Sequence, residues 1–99
     1  MTISHNNVNF IAHITPKPEH YQDCINAIQE ILPTTRAEAG CLRFEFYENE
    51  NRTQLTLVER FVDQAAFDFH HQQAYTKQVF TLYQGWLAKA VDIIAIKPL

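Results

Sequence analysis

The feature that most constrains this chain is a pair of alternating runs, CLRFEFYE at 41–48 and QLTLVERFV at 54–62, joined through the polar stretch ENENRT. Strand side chains alternate between faces, so Leu42, Phe44 and Phe46 fall on one side and Cys41, Arg43, Glu45 and Tyr47 on the other. In the returning run Leu55, Leu57, Glu59 and Phe61 alternate with Thr56, Val58, Arg60 and Val62. This is the pattern of a β-hairpin in which each face mixes apolar with polar groups. A sheet with one face wholly in water alternates more cleanly, so both faces of the hairpin are expected to be at least partly covered.

Ninety-nine residues can lay one layer of helices on one side of a sheet and no more, so a second copy of the chain is the economical cover for the other side. VNFIAHIT at 8–15 reads as a strand ending at Pro16. Pro18 and Glu19 open a helix in which Tyr21, Cys24, Ile25, Ile28, Ile31 and Leu32 form one apolar stripe. Pro33 is expected to end or kink that helix, with TTRAEA as an irregular last turn and Gly40 as the stop. Asp63 is a good N-cap for a second helix with Ala66, Phe67 and His70 on one face. A further helical stretch carries Val79, Phe80, Tyr83, Trp86 and Leu87 and is expected to break or cap around Gly85. AVDIIAIKP closes the chain as a last strand. The order β-α-β-β-α-β is the α+β, ferredoxin-like arrangement, a four-stranded antiparallel sheet with helices on one face. One domain over 1–99 is expected, with no internal repeat or linker.

Charge excludes several classes of partner. The net charge is −3 and the eight Lys and Arg are scattered singly, so nucleic acid and an anionic membrane surface are not expected to bind. MTISHNNVNF lacks the basic-then-apolar layout of a secretory leader, and no apolar run approaches membrane-spanning length. The two cysteines, Cys24 and Cys41, have no metal-site or redox-motif spacing, which fits a reducing cytoplasm. No metal site is expected either: adjacent His70 and His71 point about 100° apart on a helix and cannot readily share one ion.

The run TRAEAGCLRFEFYENENRTQLTLVERFVDQAAFDFH, from Thr35 to His70, resembles the antibiotic biosynthesis monooxygenase family, including its small quinol-monooxygenase-like members. Arg36, Glu38, Gly40, Cys41 and Leu42 carry the likeness, followed by Glu59, the aromatic Phe61, Asp63, Ala65, Ala66 and His70. Phe61 stands where many members have Trp or Tyr, and Tyr75 where many have a second His. The resemblance implies a ferredoxin-like monomer whose sheet packs against that of a twin subunit, a homodimeric α+β barrel. It implies an activity drawn from cofactor-independent oxygenation of phenols or quinols, haem degradation, or isomerisation of a phosphorylated molecule.

Oxygenation without a cofactor needs a substrate that supplies its own electrons, a base to ionise it, and a dry aromatic-walled pocket. His70 is the candidate base, since imidazole titrates near working pH. Glu59 shares a face with Leu57 and Phe61, where a covering helix would let its carboxylate orient the His70 ring. Phe61, Phe44, Phe67, Phe80 and Tyr83 are candidates to hold a small aromatic substrate. Each has a plain alternative: Glu59 and His70 as a structural pair, the rings as core packing, and Tyr83 and Tyr75 at an interface or surface. His13 has the parity of the opposite face and is expected to face the twin subunit together with Arg43, Glu45 and Tyr47, where polar groups would pair across subunits. The reading is therefore a cofactor-independent monooxygenase of quinols or polyphenols. The alternatives are a proton-transfer isomerase, a haem-degrading enzyme and a non-catalytic dimeric binding module. Haem degradation relies on a first-strand Asn and a third-strand Trp, and the corresponding positions here give Ala12-His13-Ile14 and Phe61.

Overall fold

The computed structural model describes residues 6–99. Half of the stretch on which the leader reading rests, residues 1–5, lies outside the described residues. The strands are β1 (Val8–Ile14), β2 (Cys41–Glu48), β3 (Leu55–Phe61) and β4 (Asp92–Ala95), and the helices are α1 (Tyr21–Arg36), α2 (Gln64–Gln72) and α3 (Ala74–Trp86). The sheet order is β2-β3-β1-β4 with every neighbouring pair antiparallel. This is the ferredoxin-like arrangement read from the sequence, with the second crossover split into two helices.

Three local expectations are corrected. α1 runs through Pro33 to Arg36. The proline sits on the exposed side, where water can satisfy the carbonyl it leaves unbonded. Meanwhile Ile31 and Thr35 are buried beside it, and the Arg36 Nε donates to the Phe44 carbonyl at 2.9 Å, so the last turn is pinned to the sheet. Gly40 does not stop the helix, which ends four residues earlier. A Cβ built on Gly40 would stand 2.3 Å from the Ala66 Cβ, so glycine is needed there to let α2 approach the start of β2. Gly85, in turn, neither breaks nor caps α3, which continues to Trp86.

A β-bulge between Cys41 and Arg43 also changes the face assignment in β2. Cys41 pairs with inward-facing Phe61 and Phe44 pairs with Glu59. The extra residue puts Cys41 on the same side as Phe44 and Phe46, and Leu42 drops out of that row to become 53% exposed. The Asp63 cap forms as expected, its Oδ1 accepting from the Ala66 amide at 2.9 Å.

The core lies between the inner face of the sheet and the helices. Phe10, Ala12 and Ile14 of β1, Leu55, Leu57 and Phe61 of β3, and Phe44 of β2 pack against Cys24, Ile28 and Ile31 of α1 and Val79 and Tyr83 of α3. On the outer face the side chains pair along and across strands. Arg43 donates to Glu45 at 2.9 Å, the Tyr47 hydroxyl donates to the same Glu45 oxygen at 2.8 Å, and His13 Nδ1 meets Thr56 Oγ1 at 3.1 Å. His13 therefore lies on the outer face with Arg43, Glu45 and Tyr47, as its parity requires, and within the chain it meets Thr56.

Candidate active site

A cavity of about 230 Å³ opens between the sheet and α2 and α3. Its floor is Phe10, Ala12, Phe44, Leu57 and Glu59, its roof includes Phe67, Val79, Phe80 and Tyr83, and His70 and His71 reach it from α2. Its size is at the small end for ligand pockets, suited to one or two fused rings.

Burial and register explain how charge comes to be inside. Glu59 occupies an inward position of β3, flanked across the sheet by Phe10 on β1 and Phe44 on β2. Its side chain is 6% exposed. Its carboxyl takes no hydrogen bond from any described residue. Loss of water, with a smaller contribution from the charge of Glu38, pushes this carboxyl up to about 8. At neutral pH it is mainly a carboxylic acid, able to donate.

His70 does not pair with Glu59, contrary to the expectation from strand parity. Its Nδ1 lies 2.8 Å from Glu38 Oε2, a carboxylate from the connection between α1 and β2. The same oxygen accepts from the Tyr75 hydroxyl on α3. Both side chains of the His70–Glu38 pair are at most 5% exposed, and Glu38 Oε1 has no partner among the described residues. With Nδ1–H donating to Glu38, Nε2 is left as the basic nitrogen. Burial lowers the His70 pKa below its ordinary 6.5, and the hydrogen bond and charge of Glu38 only partly offset this. The ring is further fixed by Phe44 and Phe61, with centroids 5.5 and 5.3 Å away. His71 points its Nδ1 at the Phe67 carbonyl, 2.9 Å away, so its Nδ1 is the donor as well.

The other candidates separate by position. Phe44, Phe67, Phe80 and Tyr83 all line the cavity. Phe61 does not: it is fully buried behind Phe67 and His70. Tyr83 is not at a surface or interface. It is buried, and its hydroxyl donates to the Cys24 carbonyl at 2.8 Å, so only its ring faces the cavity. Sequence reasoning missed Glu38 and Tyr75 as the partners that hold His70. Glu38 stood among the residues of the family resemblance. No periodicity, however, can place a residue of a short connection opposite a helix twenty-six positions further on. Among the described residues, no three His, Cys, Asp or Glu side chains are grouped to hold a metal.

The fold is thus a ferredoxin-like α+β domain in which an imidazole–carboxylate pair and a buried acid face an aromatic cavity. Residues 8–82 match the family model for antibiotic biosynthesis monooxygenase, and the chain belongs to that family. It is 30% identical over 96 residues to "Putative monooxygenase Rv0793" of Mycobacterium tuberculosis, covering 93% of this chain and 91% of that one. It is 28% identical over 86 residues to "Putative monooxygenase YcnE" of Bacillus subtilis, covering 85% and 82%. The solved structure of Rv0793 superposes with a TM-score of 0.88 at 26% identity, over 94% of this chain and 95% of that one. PA3566 from Pseudomonas aeruginosa gives 0.89 at 22% identity over 99% of both chains, a likeness of fold.

Proposed function

We propose that this chain is a cofactor-independent monooxygenase of quinols or related polyphenols, with His70 as the base. The observation that supports this reading best is the aromatic cavity lined by His70, whose Nδ1 is held by Glu38 so that the other ring nitrogen is available as a base. The ring of a quinol lies among Phe44, Phe67, Phe80 and Tyr83, and His70 Nε2 takes the proton of one hydroxyl. The resulting quinolate passes an electron to O₂, and recombination at a ring carbon forms a C–O bond as a hydroperoxide. Loss of water leaves a carbonyl there, so one oxygen atom of O₂ ends in the hydroxyquinone product and the other in water. The carboxylate of Glu38 holds the ring orientation and stabilises the imidazolium as it forms.

The outer sheet face, with exposed Leu42 and Tyr47, is in this reading the surface that meets a twin subunit. Two free cysteines and the lack of any described helix long and apolar enough to cross a membrane are in keeping with a cytoplasmic enzyme. The test is O₂ uptake with a freshly reduced naphthoquinol, corrected for autoxidation. Wild-type protein is expected to raise the rate well above background. A rate equal to background would end the proposal.

A further inference from the structure

We propose that Glu59 sets the ligand class of the cavity: its carboxyl donates a hydrogen bond to an oxygen of an uncharged planar ligand, and the site rejects carboxylates and phosphate esters. This deepens the small-molecule reading above and rests on it, but it does not require that the ligand react with O₂.

Three observations carry the inference. First, Glu59 is held on the cavity floor by strand register, between Phe10 and Phe44, and has no hydrogen-bond partner among the described residues. A ligand in the cavity that supplies an acceptor gives this carboxyl the partner the protein does not. Second, the cavity wall contains no Lys or Arg among the described residues. The one basic side chain of β3 near Glu59, Arg60, faces the opposite side and is bonded to Asn9. An anion entering would lose its water without gaining a cation. Third, Glu38 lies close enough to raise the Glu59 pKa by its charge, so any further negative charge meets repulsion from behind the His70 ring.

The groups around Glu59 are few. From α2 come His70 and His71, from α3 Tyr83 and, through Glu38, Tyr75, and from the β2 side Glu38 and Cys41. Tyr83 is tied to a backbone carbonyl, and burial raises the Cys41 thiol away from neutrality. That leaves Glu59 as the acid able to donate on the cavity floor. A phosphorylated substrate for an isomerase finds nothing here to neutralise it.

The experiment compares two ligands of nearly the same shape, 2-acetonaphthone and 2-naphthoate, by calorimetry. The protein is the wild type, Glu59→Gln or Glu59→Leu. At neutral pH the ketone is expected to bind at least about tenfold more tightly than the carboxylate. Between pH 7 and pH 9 wild-type affinity for the ketone should fall by about tenfold as the donor is lost, since the midpoint lies near 8. Glu59→Gln, which still donates, should hold its affinity across that range. Glu59→Leu should bind the ketone about tenfold more weakly at both pH values. If Glu59→Leu does not fold, the wild-type ligand pair and Glu59→Gln decide the matter. Equal binding of naphthoate, an unchanged pH dependence in Glu59→Gln, or no binding of either ligand would overturn the assignment. Ketone binding that depends on Glu59, without O₂ uptake on a quinol, would sink the oxygenase reading and leave this one standing. O₂ uptake together with equal binding of naphthoate would do the reverse.

Discussion

Two glutamates on adjacent strands show how far the two faces of one sheet can diverge. Glu45 on β2 faces outward, and hydrogen bonds from Arg43 and Tyr47 hold its carboxyl below the ordinary value. Glu59 on β3 faces inward between two phenylalanines, and burial pushes the same chemical group up to about 8. The difference comes from solvent and donors, not from residue type or strand. The outer face presents charge that water and neighbours stabilise, as expected of a surface. The inner face keeps its groups uncharged and unsaturated, the condition under which a side chain is free to act on a ligand.

The largest expected effect comes from removing the base on the inner face. His70→Ala should lower quinol-dependent O₂ uptake by about 10²–10⁴-fold, the usual range for a positioned acid–base group. An undiminished rate would take His70 out of the chemistry. Next is Glu59→Gln, read through stability. The folded pKa of Glu59 is raised, so this group costs the wild type nothing below about pH 4.5, where it is protonated in folded and unfolded chains alike. Its contribution becomes increasingly unfavourable as pH rises toward 8, because only the unfolded chain ionises freely there. The glutamine variant should escape that loss. By about pH 9 it should gain on the order of 5 kcal/mol over the wild type, roughly 20 °C or more in melting temperature. A gap that stays constant from pH 5 to pH 9 would contradict the inward assignment.

Smaller effects sharpen the contrast. Gly40→Ala forces a methyl group against Ala66, and α2 must shift to admit it. A destabilisation of about 1–3 kcal/mol is expected in chemical unfolding. No loss would mean that α2 packs less closely on β2 than described. Glu45→Gln, by contrast, should leave the melting temperature unchanged within error at all pH values, since an exposed ion pair adds little. A clear pH-dependent change there would erase the distinction between the faces.

Much of this layout is legible in the residues themselves. The alternation Leu55-Leu57-Glu59-Phe61 fixed which way Glu59 points, because a two-residue period tolerates no ambiguity once the buried side is known. Asp63 marked the start of α2, and the apolar stripe from Tyr21 to Ile31 marked α1, since capping and helical periodicity are local. The errors arose where a tertiary contact decides. The end of α1 is held by Arg36 on the Phe44 carbonyl, which overrides the proline. The Cys41–Arg43 bulge reversed the face assignments of Cys41 and Leu42, and a single inserted residue leaves no local signature. The partner of His70 was misassigned for the same reason. Parity along β3 brought Glu59 to the inner face, but only three-dimensional packing brings Glu38 and Tyr75 to the Nδ1 side of the ring.

The protonation of Glu59 itself is the most direct measurement. With the glutamate side-chain carboxyls labelled with carbon-13 and assigned through Glu59→Gln and Glu45→Gln, an NMR titration should show Glu59 with a midpoint of about 8 while Glu45 titrates below its ordinary range. A Glu59 resonance that ionises alongside the exposed carboxyls would mean that water reaches the cavity floor, and the dry acid-and-base site described here would not exist.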